Sequence, residues 1–315
     1  MISFLRFSIG YFIFCFCLSV FVRGGGLPVA ESVVVYVGAT GVILLRLAVV
    51  IVIVLTVGVI ALVRRGWELG PTLLNVLIAF CATIFIHAGF VLFKTSMPEI
   101  IPFYADHWMA ATDKWLHGGQ DAWILSHNMA AVLPMPYIVP LYFKFWISSA
   151  IFLPTFLAMT DNDTQRVRRT LILFAASWVI MGNFLALAGM SVGPIFYDQI
   201  YGGDRFAAVP AALDAAGELT AGFRRIQEGL WWAYTTQSQS VGSGISAFPS
   251  VHVAIALVTA LYAYERSRWF GILGAMYVAA ILFLSVYSGF HYAIDGYFSI
   301  VVIWGMWMWL RRVQV

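Results

Sequence analysis

"HYAIDGYFSIVVIWGMWMWLRR", residues 291–312, decides the reading of the whole chain. From 293 to 310 it approaches the ~20 apolar residues that cross a hydrocarbon core. It closes on the pair Arg311 and Arg312, and it opens on a histidine and an aspartate. Comparable apolar runs recur along all 315 residues, of which 62% are hydrophobic and 10% charged. Mean hydropathy is +0.88. A soluble domain cannot hide that much apolar surface, so the fold class expected is an all-α polytopic membrane protein. The net charge of +3 says little by itself; no nucleic-acid partner is expected, and the expected surroundings are the bilayer.

Eight membrane segments are expected, at about 3–22, 44–63, 71–94, 131–157, 169–190, 250–264, 269–287 and 293–310. The apolar run from Val33 to Val63 would extend about 46 Å as one helix, too long for a ~30 Å core. Arg46 therefore marks the membrane surface, with a buried, paired arginine as the alternative. The first segment lacks a small-x-small cleavage site and is read as an uncleaved helix. Cys15, Cys17 and Cys81 lie in apolar runs and are read as packing residues. No fixed-period repeat or disordered linker divides the chain. Residues 1–94 form N-terminal membrane helices, and 95–315 form the catalytic part of one integrated unit. The last several helices build its helical-bundle core.

Short loops set the orientation. Arg64 and Arg65, then Arg166, Arg168 and Arg169, then Arg266 and Arg268, and finally Arg311 and Arg312 all fall on one side. Positive residues in short loops face the cytoplasm. That puts both termini inside a cytoplasmic (inner) membrane. The long polar stretches 95–130 and 191–249 are then on the periplasmic or other extracytoplasmic side. Their mixed tryptophans and charges predict helices lying at the interface, one of them around Pro210–Tyr234.

Most of the chemistry-bearing residues gather on that outer side. His291 and Asp295, at i and i+4, are expected to share a helical face, the carboxylate fixing the imidazole tautomer. Asp295 is also the acidic residue inside an expected segment, which points to function. His252 stands at the same depth in "AFPSVH" (247–252), at the mouth of the sixth segment. His107, His117 and His127 match no compact zinc spacing, so no metal and no cofactor are expected. Asp106, Asp113, Lys114 and His117 are read as an interfacial helix and its cap. His87, Asn75 and Asn183 are read as packing or interhelical hydrogen-bonding residues.

"AFPSVH" followed by "HYAID" resembles the second and third signature motifs of the type 2 phosphatidic acid phosphatase superfamily. The pattern is closest to the branch containing inositol phosphorylceramide synthases and sphingomyelin synthases. "DHWMAATDKWLHGGQDAW" (106–123) and "SVGPIFYD" (191–198) resemble upstream parts of bacterial members, so the likeness covers roughly residues 100–310. The resemblance implies catalysis by His291, Asp295 and His252. His291 would attack a lipid phosphate ester, Asp295 would orient its ring, and His252 would protonate the leaving alkoxide. Ser250 and the amides beside it would help hold phosphate, or Ser250 would serve as an N-cap. Tyr292 belongs to the same candidate phosphate-binding set.

The soluble-phosphatase pattern also supplies a lysine and two arginines. Here Ser285 stands six residues before His291, and "SVGPIFYD" has no cation. Lys114, Arg205, Arg224 and Arg225 are the outer cations available to offset phosphoryl charge. The expected partners are a phospholipid donor and a lipid or water acceptor. Four readings stay open: a phosphotransferase, a phosphatase acting on phosphatidic acid or polyprenyl phosphates, a proton-coupled transporter, and a catalytically dead binding or scaffold member. Against the transporter, the charged groups sit at segment mouths rather than near the midplane.

Overall fold

The structure is a computed structural model that describes residues 1–24, 56, 69–238 and 243–313. Apart from Thr56, the expected span 44–63 lies outside the described residues, as do Arg46, Arg64 and Arg65. The described residues are mostly helical, with no strand among them. Six of its helices are long and apolar enough to cross a membrane, which makes this an integral membrane protein. They are α1 (Ile2–Arg23), α2 (Leu69–Ile100), α5 (Met135–Thr160), α6 (Thr164–Ala188), α11 (Arg268–Tyr287) and α12 (Ala293–Arg312). Between them come α3 (Asp106–Leu116), α4 (Ala122–Ala130), α7 (Pro194–Tyr201), α8 (Ala208–Ala215) and α9 (Ala221–Thr235). The remaining helix, α10 (Val251–Arg266), has 16 residues and is about 24 Å long.

Two sequence expectations change here. The helix placed around Pro210–Tyr234 is two helices, broken where Gly217 turns at φ +60°. The third span does not end at residue 94. It continues for another turn and a half to Ile100, so Lys94, the last residue of the expected span, lies well inside the helix.

Helix α2 packs along α1, α5 and α6, while α10 sits among α5, α6, α11 and α12. Apolar solvent gives little force for helix association, so close approach and interhelical hydrogen bonds carry the packing. Gly274 of α11 lies against Ala260 of α10, where an added Cβ would meet the Ala260 Cα at 2.8 Å. Asn183 of α6 donates to the Tyr11 hydroxyl of α1 at 2.5 Å, and the Ser96 and Ser19 hydroxyls join α2 to α1. His87 packs edge-on against Trp178 at 4.5 Å, while Asn75 is exposed on α2. Helices α5 and α6 each widen into π-type turns, at Leu141–Trp146 and Ser177–Leu185. Such turns re-aim side chains within a helix. Here they carry Tyr142, Trp146, Trp178 and Gly182, which line one internal cavity.

At one end of the bundle the arginines find carboxylates. Arg166 holds Asp161 through two bonds of 2.6 Å, Arg266 approaches the same carboxylate, and Arg169 holds Glu265 of α10. The loops 161–169 and 265–268 and the end of α12 thus share this end. The histidine motifs and α3 lie at the other.

Candidate active site

The loop before α10 and the loop before α12 bring two histidines together. His252 Nδ1 lies 3.2 Å from His291 Nε2. His291 Nδ1 is 2.7 Å from the Ala247 carbonyl and 3.4 Å from Asp295 Oδ2. Both neighbours are acceptors, so Nδ1 carries the proton and Nε2 keeps its lone pair. His252 Nδ1 is then the donor toward that lone pair.

The His–Asp proximity arises differently from the helical spacing expected. Helix α12 begins at Ala293, so His291 precedes it and only Asp295 sits in its first turn. Asp295 reaches back to accept the Tyr292 amide at 3.0 Å, as an N3 acidic residue does in a capping box. That bond folds the preceding residues over the helix and carries the imidazole to the carboxylate. Asp295 Oδ1 takes no hydrogen bond among the described residues.

Behind the histidines, residues 191–195 staple the two loops. The Ser191 carbonyl accepts from Ala247 N, and its hydroxyl accepts from Phe248 N, both at 2.9 Å. On the other flank Ile195 N donates to the Gly289 carbonyl. Gly193 crosses between at φ 79°, ψ 167°, where a Cβ would stand 2.5 Å from the Phe290 carbonyl oxygen. This accounts for "SVGPIFYD" having no cation: the segment holds backbone.

Asp106 anchors the staple. Its carboxylate accepts from the amides of Val192 and Gly193 and the hydroxyls of Tyr201 and Tyr292. Burial pushes this carboxyl above the usual carboxylate range, while the four donors pull it down. Asp113, one face along α3, accepts the Ile294 amide at 3.1 Å and so caps α12 from outside. Burial raises its carboxyl too, against the Ile294 amide and the charge of His117. The cap expected for this helix itself is not what these bonds provide: α3 starts after Ala105 without a side-chain cap, and its carboxylates serve the staple and α12 instead.

The other candidates separate. Ser250 is fully buried and N-caps α10, accepting Val253 N at 3.3 Å. Tyr292 is buried with its hydroxyl on Asp106. Arg224 is tied to Asp214 and Gln227, Arg205 to Asp121, and Arg225 and Lys114 are exposed. None of these lines the cavity at the histidines. His107, His117 and His127 go to three different partners, Tyr197, Tyr297 and the Tyr287 carbonyl.

The cavity, of about 600 Å³, is lined by His252 and His291 together with Tyr142, Trp146 and Phe290. His252 stacks on Tyr142, with ring centroids 4.8 Å apart, and its carbonyl accepts from Trp146 Nε1 at 2.9 Å. Lys94 is its cation among the described residues. The sequence reading missed it by ending the third span there. An ionisable residue in an apolar helix is itself the signal that finds it. Gly244, at φ +94°, lets the loop before α10 lie on the Lys94 stem, where a Cβ would meet Lys94 Cγ at 2.9 Å.

A family model described as the PAP2 superfamily matches residues 107–309, more than half of the chain. The protein belongs to the PAP2 superfamily. Membership carries phosphatase or phosphotransferase chemistry, and the two histidine motifs and the staple all fall within the matched residues. No curated protein and no solved structure matches the chain. Lys94 and the rest of α2 precede the matched region.

Proposed function

We propose that this PAP2 member is a lipid phosphotransferase of the kind found in inositol phosphorylceramide and sphingomyelin synthases. His291 Nε2 attacks the phosphorus of a phospholipid, forming a P–N bond as the P–O bond to the diacylglycerol oxygen breaks. His252, as the imidazolium, gives its Nδ1 proton to that oxygen and becomes neutral imidazole. The head group, now on His291, passes to an acceptor hydroxyl whose proton returns to His252, and the P–N bond breaks. Asp295 and the Ala247 carbonyl keep the proton on Nδ1 throughout.

The observation that carries this reading is the pairing of the two histidines at 3.2 Å beside one lysine. A phosphodiester brings one negative charge, whereas a phosphate monoester brings about 1.5 to 2 at neutral pH. One cation at the cavity suits the diester, and so a head-group donor rather than phosphatidic acid. The first-turn amides of Val251 and His252, without intrahelical acceptors, add positive potential at the same place. Ser250 contributes by starting that helix. The sidedness of the arginine loops supports a site opening to the extracytoplasmic face.

The test is turnover by purified protein given phosphatidylinositol and ceramide, with phosphatidic acid as the competing donor. Head-group transfer should exceed phosphate release, and His291→Ala should lose about 10³-fold or more. Undiminished turnover in that variant sinks the mechanism. Faster release of phosphate from phosphatidic acid assigns a phosphatase instead.

A further inference from the structure

Below the histidines the cavity does not close. It continues along α2, where residues from Lys94 down to Phe80 line it. Fourteen residues of helix advance about 21 Å, against a hydrocarbon core of ~30 Å. The walls at depth are apolar: Phe80 and Ile84 of α2, Ile147 and Ile151 of α5, Trp178 of α6. Two polar residues occur there, and neither makes the passage polar. The Thr83 hydroxyl donates to its own helix at Ala79, and the His87 Nε2 is buried with the ring against Trp178. A solute or proton path would need polar groups at this depth.

We propose that this deep arm holds one hydrocarbon chain of the phosphate-bearing lipid, and that α2 limits the chain length accepted. The inference rests on the reading of the histidines as the phosphoryl-transfer site. The occupant follows from continuity: the same cavity has a cation and two imidazoles in one part of its lining and an apolar shaft along α2 in the other. A lipid phosphate with its chain attached has that distribution of charge. Helix α2 lies before residue 107, so this specificity comes from outside the family-matched part of the chain. The N-terminal helices thus belong to the active unit.

The shaft has two levels that can be blocked separately. Ala150 is 3% exposed and faces the middle of the cavity, and Ile84 lies lower. The full-length protein would be assayed in nanodiscs on phosphatidylinositol and phosphatidic acid carrying hexanoyl, lauroyl or stearoyl chains. Ala150→Phe should lower the stearoyl-to-hexanoyl ratio of kcat/KM about ten-fold or more. Ile84→Trp should lower the stearoyl-to-lauroyl ratio and leave the lauroyl-to-hexanoyl ratio closer to wild type. Unchanged ratios in both variants overturn the proposal.

A phosphatidic acid with a diazirine at its chain end gives a reading independent of turnover and of either variant's folding. Crosslinks should fall within Phe80–Val91. Crosslinks confined to Leu73, Leu74 and Leu77, which are exposed on α2, overturn the proposal as well. Should wild-type protein turn over no lipid of any length, the enzymatic reading fails while the crosslink still decides the chain site.

Discussion

The two ends of this bundle treat carboxylates in opposite ways. At the arginine end, Asp161 and Glu265 are neutralised by guanidinium groups through bonds of 2.6–2.9 Å. At the histidine end, Asp106, Asp113 and Asp295 are buried and accept from backbone amides and tyrosine hydroxyls. A charge pair joins two side chains whatever their backbones do. A carboxylate on two amides fixes the backbone itself. The first arrangement ties helices together, and the second holds loops in register. Loops in register are what a two-histidine site requires, since a 1 Å misplacement can cost 100-fold. The contrast also leaves Lys94 without a carboxylate at ion-pair distance among the described residues, as the proposed binding of a lipid phosphate beside it requires.

The strongest way to break that contrast is Asp295→Asn. The amide oxygen still accepts the Tyr292 amide, so the first turn of α12 should survive and the melting temperature should move little. The negative charge near Nδ1 is lost and the amide NH₂ competes for the imidazole tautomer. Turnover should fall about 10²–10⁴-fold, as for other carboxylates that orient a catalytic histidine, with the loss in kcat rather than KM. A loss under three-fold would mean that the Ala247 carbonyl alone, at 2.7 Å, holds the ring.

Gly193→Ala probes the staple rather than the ring. Its φ 79°, ψ 167° conformation is essentially restricted to glycine and costs other residues about 1–3 kcal/mol. The Cβ would in addition press on the Phe290 carbonyl oxygen at 2.5 Å, one residue before His291. Activity should drop about 10- to 100-fold with a modest fall in melting temperature. If activity and stability fall in strict proportion across temperatures, the segment supports folding only and does not set the site.

How much of this could be read in the chain beforehand follows the same contrast. Apolar length is a local property, so spans such as 269–287 and 293–310 lie within two residues of Arg268–Tyr287 and Ala293–Arg312. Motif residues were legible too: His252, His291 and Asp295 meet as the resemblance implies. What could not be read was the long-range wiring. Nothing near Asp106 announces that it binds residues 192, 193, 201 and 292. Lys94 was hidden for a different reason. A search for cations in polar loops passes over a cation set in an apolar helix. Arg224 and Arg225 drew attention by being adjacent, yet an adjacent pair on an interfacial helix diverges around its circumference, and one of the two goes to Asp214.

Asp161→Asn isolates the other end. Its side chain is 1% exposed and bonded to an Arg166 that is 16% exposed. Burial alone would raise this carboxyl, but the Arg166 bonds, the Asp163 amide and the charge of Arg266 outweigh it and hold it below its usual 3.8. A lowered carboxylate stabilises the fold above its unfolded value and loses that contribution as pH falls from near 3.8 through the folded value. The variant should therefore be less stable than wild type at neutral pH, by about 1–3 kcal/mol, and the two should converge on acidification. Thermal melting in detergent across that range reads the convergence directly. Turnover at neutral pH and moderate temperature should stay within about two-fold of wild type, because no bond in the Asp161 cluster reaches the loops that carry the histidines. A large loss of turnover with unchanged melting would show that the two ends are coupled through α10, the helix that carries His252 in its first turn and ends beside Asp161.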